Sequence, residues 1–432
     1  MVLLLATILP FRDIHIISII HLKRLVIWSL LGYIAIQQFA NLRIFFSRAL
    51  ARFSQVAALF LGATIVSLIK TASELYATDF ITPTLVKATI LSDALSALEG
   101  LLILYIMYYL VETLQQIQRL VDVIIAVSAM IALLGILQYV IGGPPPIVGF
   151  LFDQEYQFYG RATSVFSNPN ELGGFSAPMV MIAFVSLIWE TTSIRKRLFF
   201  ILPALVLNTL ALFVSFSRGA MLQIFFGMLV MSYVYYVKIW NKRLSWKVIF
   251  VVVITLGLIF SAVRYYDFYM RSRLSSYQGN DYYAALQWIK ATSDFQRKNN
   301  IVQALQTFSA HPFIGIGYNL FAGKKIAGFE YFGLSPHNQY LKILTEMGLF
   351  GFIPFMILLG LIVSTGMKIW SKSRERQVGR DVQIMMLLLL SGACTITFGY
   401  LFADTLAFLP ISGYLWMFSG VIFALDRQYK ET

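Results

Sequence analysis

The chain has 432 residues, of which 58% are hydrophobic and 13% charged, and its mean hydropathy is +0.73. This apolar fraction is higher than a soluble domain of this length needs for its core. The composition therefore excludes a water-soluble globular protein and indicates a polytopic membrane protein. The net charge is +13, and the single cysteine, Cys394, excludes an internal disulfide and a cysteine-based metal site.

Apolar runs long enough to cross about 30 Å of hydrocarbon recur along the whole chain. They predict an all-α polytopic membrane protein with about eleven or twelve transmembrane helices. Residues 1–20 are a further candidate span, although Pro10, Arg12 and Asp13 interrupt the run. The predicted spans are 25–41, 52–70, 94–111, 120–141, 172–189, 197–216, 219–237, 247–264, 344–367, 383–403 and 407–425.

Lysine and arginine cluster in connectors that a count of the spans assigns to one side of the membrane, for example Arg195–Arg197 and Lys368–Arg380. Cytoplasmic loops carry an excess of these residues, so this side is predicted to be cytoplasmic. The exception is the basic cluster at 21–24, which falls outside if 1–20 spans. Topology therefore explains the positive charge without a nucleic acid partner, and membrane lipids are the expected surroundings.

The predicted organisation is one membrane domain with N-terminal transmembrane helices (1–264), a large external loop (265–343) and C-terminal transmembrane helices (344–432). Within the loop, residues 284–310 repeat apolar residues at helical spacing, which predicts one or two amphipathic helices on the membrane surface. Residues 265–288 are rich in aromatics. They are consistent with an interfacial belt or with a platform for sugar rings.

Two external segments combine a helix-capping residue with an arginine. Asn168 is predicted to cap a helix with Pro169 in its first turn, and Arg161 lies shortly before it. Ser217 is predicted to cap the second helix, with Arg218 in its first turn. Helix N-termini offer unpaired N–H groups and partial positive charge, so together with an arginine they suit a phosphate. The alternative is that each arginine only reaches from a span end to the interface.

A third external segment carries His337, one of four histidines in the chain. Ser335 is predicted to cap a helix with Pro336 in its first turn, which places His337 at the positive end of a helix dipole. A histidine there is biased toward the neutral form, which can accept a proton. A purely structural histidine is the alternative.

The candidate motifs also occur in a recognisable order, namely Arg161, Phe166–Asn170, Ser217–Ala220, His311–Gly317, His337–Leu341 and Glu346–Gly351. Over roughly residues 120–425 the chain resembles the O-antigen ligase and polymerase superfamily of bacterial envelope glycosyltransferases. The resemblance implies a GT-C-like enzyme of the bacterial inner membrane with its active site facing the periplasm. Such an enzyme takes a glycan from an undecaprenyl-diphosphate carrier and passes it to an acceptor hydroxyl, with inversion at the anomeric carbon.

The resemblance also implies roles for three residues. Arg161 and Arg218 would bind the diphosphate and stabilise the charge that develops as the sugar leaves. His337 would deprotonate or orient the acceptor hydroxyl. Supporting candidates are Asn338, Asn168 and Asn170, Tyr340 near the acceptor, Glu99 and Asp404 as partners of an arginine or the histidine, and Lys324 and Lys325 beside a sharp turn at Pro312–Phe321.

No cofactor or metal is expected, because the sequence has no Asp-x-Asp pair of the kind that holds a divalent ion in nucleotide-sugar transferases. A ligase would use the lipid A core as acceptor and a polymerase a second carrier-linked repeat, and we favour the ligase. A protein O-oligosaccharyltransferase is a further alternative. A transporter of lipid-linked glycans is the contrasting class, for which inverted repeats and charges at mid-membrane are expected.

Overall fold

The computed structural model describes residues 15–17, 20–21, 26–34, 47–77, 83–141, 161–189, 192–234, 297–321, 336–375 and 380–431. The longer helices in this part are α1 (Arg48–Ala77), α2 (Pro83–Leu110), α3 (Leu114–Ile141), α4 (Pro169–Leu187), α5 (Ile194–Ser215), α6 (Arg218–Tyr233), α7 (Gln339–Glu375), α8 (Arg380–Gly399) and α9 (Leu409–Glu431). Shorter helical segments cover 26–34 and 297–310. Two short strands, β1 (His15–Ile17) and β2 (Ile20–His21), pair antiparallel.

The all-α polytopic architecture is confirmed. In the described part of the chain, eight helices are long and apolar enough to cross a membrane. Each predicted span between 52 and 216 and between 344 and 425 lies on one of α1–α5 or α7–α9, with ends that differ by a few residues. The span predicted at 219–237 is helical over Arg218–Tyr233, and the one at 25–41 is helical over 26–34.

The remaining predictions on the spans and the loop have different outcomes. The span at 247–264 and the aromatic stretch at 265–288 lie outside the described residues. The amphipathic helix predicted within 284–310 is present over 297–310. The idea of a helical span over 1–20 is wrong at its C-terminal end, because β1 and β2 occupy that stretch. Its closely spaced isoleucines favour extended backbone over helix.

Helix α9 lies at the centre of the bundle. Every residue of its most apolar window is buried, and it packs against α2, α7 and α8. Helix α4 has a similar position among α3, α5, α6 and α8. Since both helices begin at the same end of the bundle as α6 and α7, that end collects four helix N-termini. We call it the His337 end, defined by residues 161–169, 215–218, 336–339 and 400–409.

Basic residues lie at the opposite end, as the charge pattern predicts. The Lys196 ammonium donates to Asp122 Oδ2 (2.6 Å) and so ties α5 to α3. The Trp189 indole N–H donates to Asp381 Oδ1 (2.7 Å) and ties α4 to α8. Polar side-chain contacts thus join neighbouring helices at this end of the bundle.

Helix α7 is broken at Gly348, which has φ +63 and ψ −162. A break in an apolar helix leaves backbone N–H and C=O groups that need other partners. The loop 311–317 supplies them, because its backbone pairs with α7 on both sides of the break. The four hydrogen bonds run from Ile316 N–H to Thr345 O (3.0 Å), Gly317 N–H to Glu346 O (3.0 Å), Leu349 N–H to Pro312 O (2.8 Å) and Phe350 N–H to Phe313 O (3.0 Å).

The same loop is held from its other side by α1. The Lys70 ammonium donates to Gly315 O (2.6 Å), and Ser67 Oγ donates to Glu346 O (2.8 Å). The sharp turn predicted for Pro312–Phe321 is present, with φ +73 at Gly315 and +120 at Gly317. This loop, α1 and the broken part of α7 thus form one hydrogen-bonded unit beneath the start of α7.

Candidate active site

The start of α4 has the predicted cap. Asn168 has extended backbone (φ −146, ψ 157), and its side chain accepts the N–H of Glu171 (3.1 Å), with Pro169 in the first turn. The Glu171 carboxylate reaches back to the N–H and the hydroxyl of Ser167 (3.1 and 2.8 Å). This reciprocal arrangement is a capping box, and it makes the helix start rigid.

Arg161 connects this start to the neighbouring helix end. Its Nε donates to Ser215 O (2.9 Å) at the end of α5, and its Nη2 donates to Asn170 Oδ1 (3.1 Å) in the first turn of α4. The backbone joins in, because Ala162 N–H donates to Val214 O (2.9 Å). The guanidinium is therefore fixed at the junction of α4 and α5.

Arg218 lies in the first turn of α6, as predicted. Its side chain is exposed, and Ser217 caps the helix by accepting the N–H of Ala220 (3.4 Å). Phe216 turns the chain between α5 and α6 with φ +49. The start of α6 touches α4 closely, since a Cβ on Gly173 would lie 2.6 Å from Ser217 Cβ. The segments of Arg161 and Arg218 are therefore packed together.

The start of α7 differs from the sequence prediction. The cap is Asn338, whose Oδ1 accepts the N–H of Leu341 (3.0 Å), and the helix begins at Gln339. His337 precedes the cap with φ +49, a left-handed conformation that no residue inside an α-helix adopts. The prediction of Ser335 as cap with Pro336 in the first turn is wrong for this reason, and Ser335 itself lies outside the described residues.

The turn between α8 and α9 fixes the start of α7. Gln339 N–H donates to Tyr400 O (2.7 Å), and its side-chain Oε1 accepts Leu406 N–H (2.9 Å). Asn338 Nδ2 donates to Leu401 O (3.2 Å). The same turn reaches α6, where a Cβ on Gly219 would lie 2.7 Å from Phe402 Cβ. All three predicted segments thus belong to one continuously packed end of the bundle.

The Asp404 carboxylate lies between His337 and Lys342. Its Nδ1 is 4.0 Å from Asp404 Oδ1, and the other carboxylate oxygen of Asp404 is 3.7 Å from the Lys342 ammonium. The His337 side chain is 41% exposed, whereas Asp404 and Lys342 are 21% and 17% exposed. Asp404 therefore lies between a mostly buried cation and an accessible imidazole.

The pKa of His337 is lowered from the ordinary value of a histidine. Partial burial is the largest cause, the negative charge of Asp404 opposes it, and the positive charge of Arg297 on the 297–310 helix adds to it. The imidazole is consequently neutral at neutral pH. A neutral, accessible imidazole is what a general base requires.

The remaining candidates lie in different environments. Tyr340 is half-buried, and its hydroxyl donates to Thr397 O (2.6 Å) on α8. Glu99 is 1% exposed within α2, next to Gly100, which packs on Trp416 of α9. Lys324 and Lys325 lie outside the described residues. Among the predicted supporting residues, Asp404 lies beside His337, Asn338 caps its helix, and Asn170 accepts a hydrogen bond from Arg161.

Sequence reasoning missed Lys342 and Arg297. A signal for Lys342 existed, because a basic residue near a helix N-terminus opposes the helix dipole and so needs a nearby anion. Lys342 and Glu346 also have the i, i+4 spacing of a helical ion pair. No comparable local signal marks Arg297, which reaches His337 only through the folding of the 297–310 helix.

The groups at this end of the bundle are suited to an anion next to a proton acceptor. Rigid helix N-termini and guanidinium groups suit a phosphate-like charge, and the neutral imidazole suits a hydroxyl proton. In the part of the chain that the structure describes, no three His, Cys, Asp or Glu side chains are grouped so as to hold a metal ion.

Residues 203–356 match the family model for O-antigen ligase. The match confirms the resemblance to the O-antigen ligase and polymerase superfamily. It includes Arg218, the 311–317 loop, His337 and the helix break, whereas Arg161 and Asp404 lie outside it. No curated protein matches the chain. The chain is thus a multi-pass membrane protein similar to this family over the segment that carries His337.

Proposed function

We propose that the protein is a glycosyltransferase that transfers a glycan from an undecaprenyl-diphosphate carrier to an acceptor hydroxyl at the periplasmic face of the bacterial inner membrane. We further propose that the acceptor is a lipid A core sugar, so that the protein acts as an O-antigen ligase. The proposal rests on one observation: the segments of Arg161, Arg218 and His337 pack together at one end of the bundle. Two of these segments lie within the O-antigen ligase match.

The diphosphate of the carrier is the proposed ligand of the two arginines. Arg161 is held by Ser215 and Asn170, so it would meet the diphosphate already oriented. Arg218 is exposed in the first turn of α6, where a cation is unfavourable for the helix dipole. A bound diphosphate offsets that cost, because the anion is attracted both to the guanidinium and to the helix N-terminus.

The proposed reaction is a single displacement. The acceptor oxygen forms a bond to the anomeric carbon, and the bond from that carbon to the diphosphate breaks. The diphosphate carrier leaves with the electron pair, while the hydroxyl proton passes to His337. Since Nδ1 faces Asp404, Nε2 is the nitrogen proposed to take this proton. Attack from the side opposite the leaving group inverts the anomeric carbon.

The first experiment separates the acceptors. Purified protein in proteoliposomes receives carrier-linked glycan together with either lipid A core or additional carrier-linked glycan, and product lengths are compared. Glycan on lipid A core supports the ligase. Lengthened carrier-linked product would instead identify a polymerase, and carrier-linked glycan that crosses the membrane unchanged would identify a transporter. We expect the ligase product to form equally in EDTA.

The second experiment tests the residues with a matched control. Arg218 and Arg195 are both exposed arginines in the first turn of a serine-capped helix, but they lie at opposite ends of the bundle. Arg218→Ala should lower transfer by about 100-fold or more, as expected for loss of charge stabilisation at the leaving group. Arg195→Ala should leave it unchanged.

Arg161→Ala and His337→Gln should also lower transfer by about 100-fold or more. Because Arg161 also joins α4 to α5, thermal unfolding of each variant must stay close to the wild type for its loss to count. Full transfer by all three variants would refute the proposed site, whereas loss in Arg195→Ala of the same size would show that arginine removal is unspecific.

A further inference from the structure

Lys342 is a mostly buried cation that the mechanism above does not use. It lies one turn into α7, where its N–H donates to Asn338 O (2.9 Å). Its ammonium is 3.7 Å from Asp404 Oδ2. A cation near a helix N-terminus opposes the dipole, so its placement there needs a compensating anion. Glu346 on the same helix is one such anion, and Asp404, which comes from the turn before α9, is another.

Asp404 is held in place by more than this ion pair. The turn that carries it is bound to Gln339 at two points, through Tyr400 O (2.7 Å) and Leu406 N–H (2.9 Å). Its two carboxylate oxygens face different partners, Oδ2 toward Lys342 and Oδ1 toward His337 Nδ1. The carboxylate thus bridges the first turn of α7 and the residue just before that helix.

We propose that Lys342 is a positioning residue, which fixes the orientation of the Asp404 carboxylate with Oδ1 toward Nδ1 of His337 and so leaves Nε2 directed at the acceptor hydroxyl. The inference rests on the proposed function only in the identity of that hydroxyl. Lys342 does not touch the acceptor in this arrangement. It acts through Asp404, whose Oδ2 lies 3.7 Å from its ammonium.

The charged groups around the pair determine the sign of the effect. His337 faces Asp404 from the α8–α9 turn and Arg297 from the 297–310 helix. Lys342 faces Asp404, Glu346 on its own helix and Asp93 on α2. Asp404 raises the pKa of His337. The Lys342 ammonium pairs with Asp404 and so opposes the effect of this carboxylate on the imidazole. The turn that carries Asp404 is bound to Gln339, so Asp404 stays beside the imidazole when Lys342 is removed. Removing Lys342 should therefore raise the pKa of His337, and removing the charge of Asp404 should lower it.

The titration of His337 can be measured without any assay of transfer. Diethyl pyrocarbonate reacts with neutral imidazole, and His337 is 41% exposed. The rate of its modification against pH, followed by mass spectrometry of the peptide, reports the pKa in the full-length protein. Exposed His311 serves as an internal control for the reagent, because its rate of modification should be the same in all variants.

Three variants test whether the charge of Lys342 acts on His337 through Asp404. Lys342→Met removes the charge and keeps an apolar stem, Lys342→Arg keeps the charge, and Asp404→Asn removes the anion with nearly the same shape. We expect the His337 titration to move to higher pH in Lys342→Met and to lower pH in Asp404→Asn, with Lys342→Arg close to the wild type. In the transfer assay, kcat of Lys342→Met should fall about tenfold with little change in KM, and Lys342→Arg should restore it.

The outcomes separate this inference from the proposed function. If the His337 titration shifts in opposite directions in Lys342→Met and Asp404→Asn but the wild-type protein shows no transfer, the coupling of Lys342 to His337 is supported and the transferase is refuted. Wild-type transfer with an unmoved titration and unchanged kcat in Lys342→Met would refute the role of Lys342 alone. Shifts in the same direction for Lys342→Met and Asp404→Asn would also overturn it. A Lys342→Met protein that unfolds early is replaced in this comparison by Lys342→Gln.

Discussion

Gly348→Ala should strongly destabilise the protein, because Gly348 breaks α7 where the 311–317 loop inserts. Its φ of +63 and ψ of −162 fall in a region that only glycine adopts readily, and alanine there costs about 1–3 kcal/mol. The new Cβ would also lie 2.4 Å from the carbonyl carbon and oxygen of Phe313. Those are backbone atoms, so they cannot rotate away as a side chain could, and the loop itself must move.

The size of the effect follows from the bonds that this movement breaks. Four backbone hydrogen bonds join the loop to α7 on the two sides of Gly348. At about 1 kcal/mol each they contribute about 4 kcal/mol. With the backbone strain, the predicted loss in the free energy of unfolding is about 5–7 kcal/mol. Native proteins are typically stable by only about 5–15 kcal/mol, so the loss should be plain in any unfolding measurement.

Gly360→Ala is the matched control, since Gly360 lies in the same helix and an added Cβ there meets no atom within 4 Å. Alanine is the better helix former by about 1 kcal/mol, so this variant should unfold at or above the wild-type temperature. The assay is thermal unfolding of the purified proteins in one detergent, followed by intrinsic fluorescence. A Gly348→Ala protein that unfolds within about 2 °C of Gly360→Ala would refute the predicted role of the hydrogen bonds between the loop and α7.

A second variant, at Gly315 in the loop, tests the same contact between the 311–317 loop and α7. Gly315 has φ +73, and its added Cβ would lie 2.3 Å from the carbonyl carbon of Glu346. Gly315→Ala should therefore destabilise the protein through the same displacement. Because both variants break the same bonds, the double variant should lose much less than the sum of the two.

Two further predictions concern the start of α7. The rate of transfer by the wild type should be constant from pH 7 to 8 and should decrease at pH values below about 6.5, the ordinary pKa of histidine. The reason is that the pKa of His337 is lowered and the reaction needs the neutral imidazole. A rate that keeps rising between pH 7 and 8 would contradict this. Asn338→Ala should lower the free energy of unfolding by about 1–2 kcal/mol, since it removes the helix cap. Asn338→Asp keeps the accepting oxygen and should lose less, so equal unfolding of the two variants would argue against the cap.

Much of the architecture could be predicted from the sequence because its causes are local. Apolar runs predicted the spans, because a transmembrane helix needs enough consecutive apolar residues to cross the hydrocarbon and forms its backbone hydrogen bonds within itself. The caps at Asn168 and Ser217 were also predictable, because a cap needs only a polar side chain and the N–H groups two or three residues ahead. The exposed Arg218 at a helix start followed from the same short pattern.

Tertiary contacts decided the rest of the candidate site. Ser335-Pro336 and His337-Asn338 both carry local capping signals, and the turn at 400–406 selects the second by binding Gln339 on its backbone and side chain. The break at Gly348 has no local marker, because a single glycine is tolerated in a helix unless another chain segment fills the gap. Lys342 and Asp404 are far apart in the sequence, and only the packing of α7 against the α8–α9 turn brings them to His337.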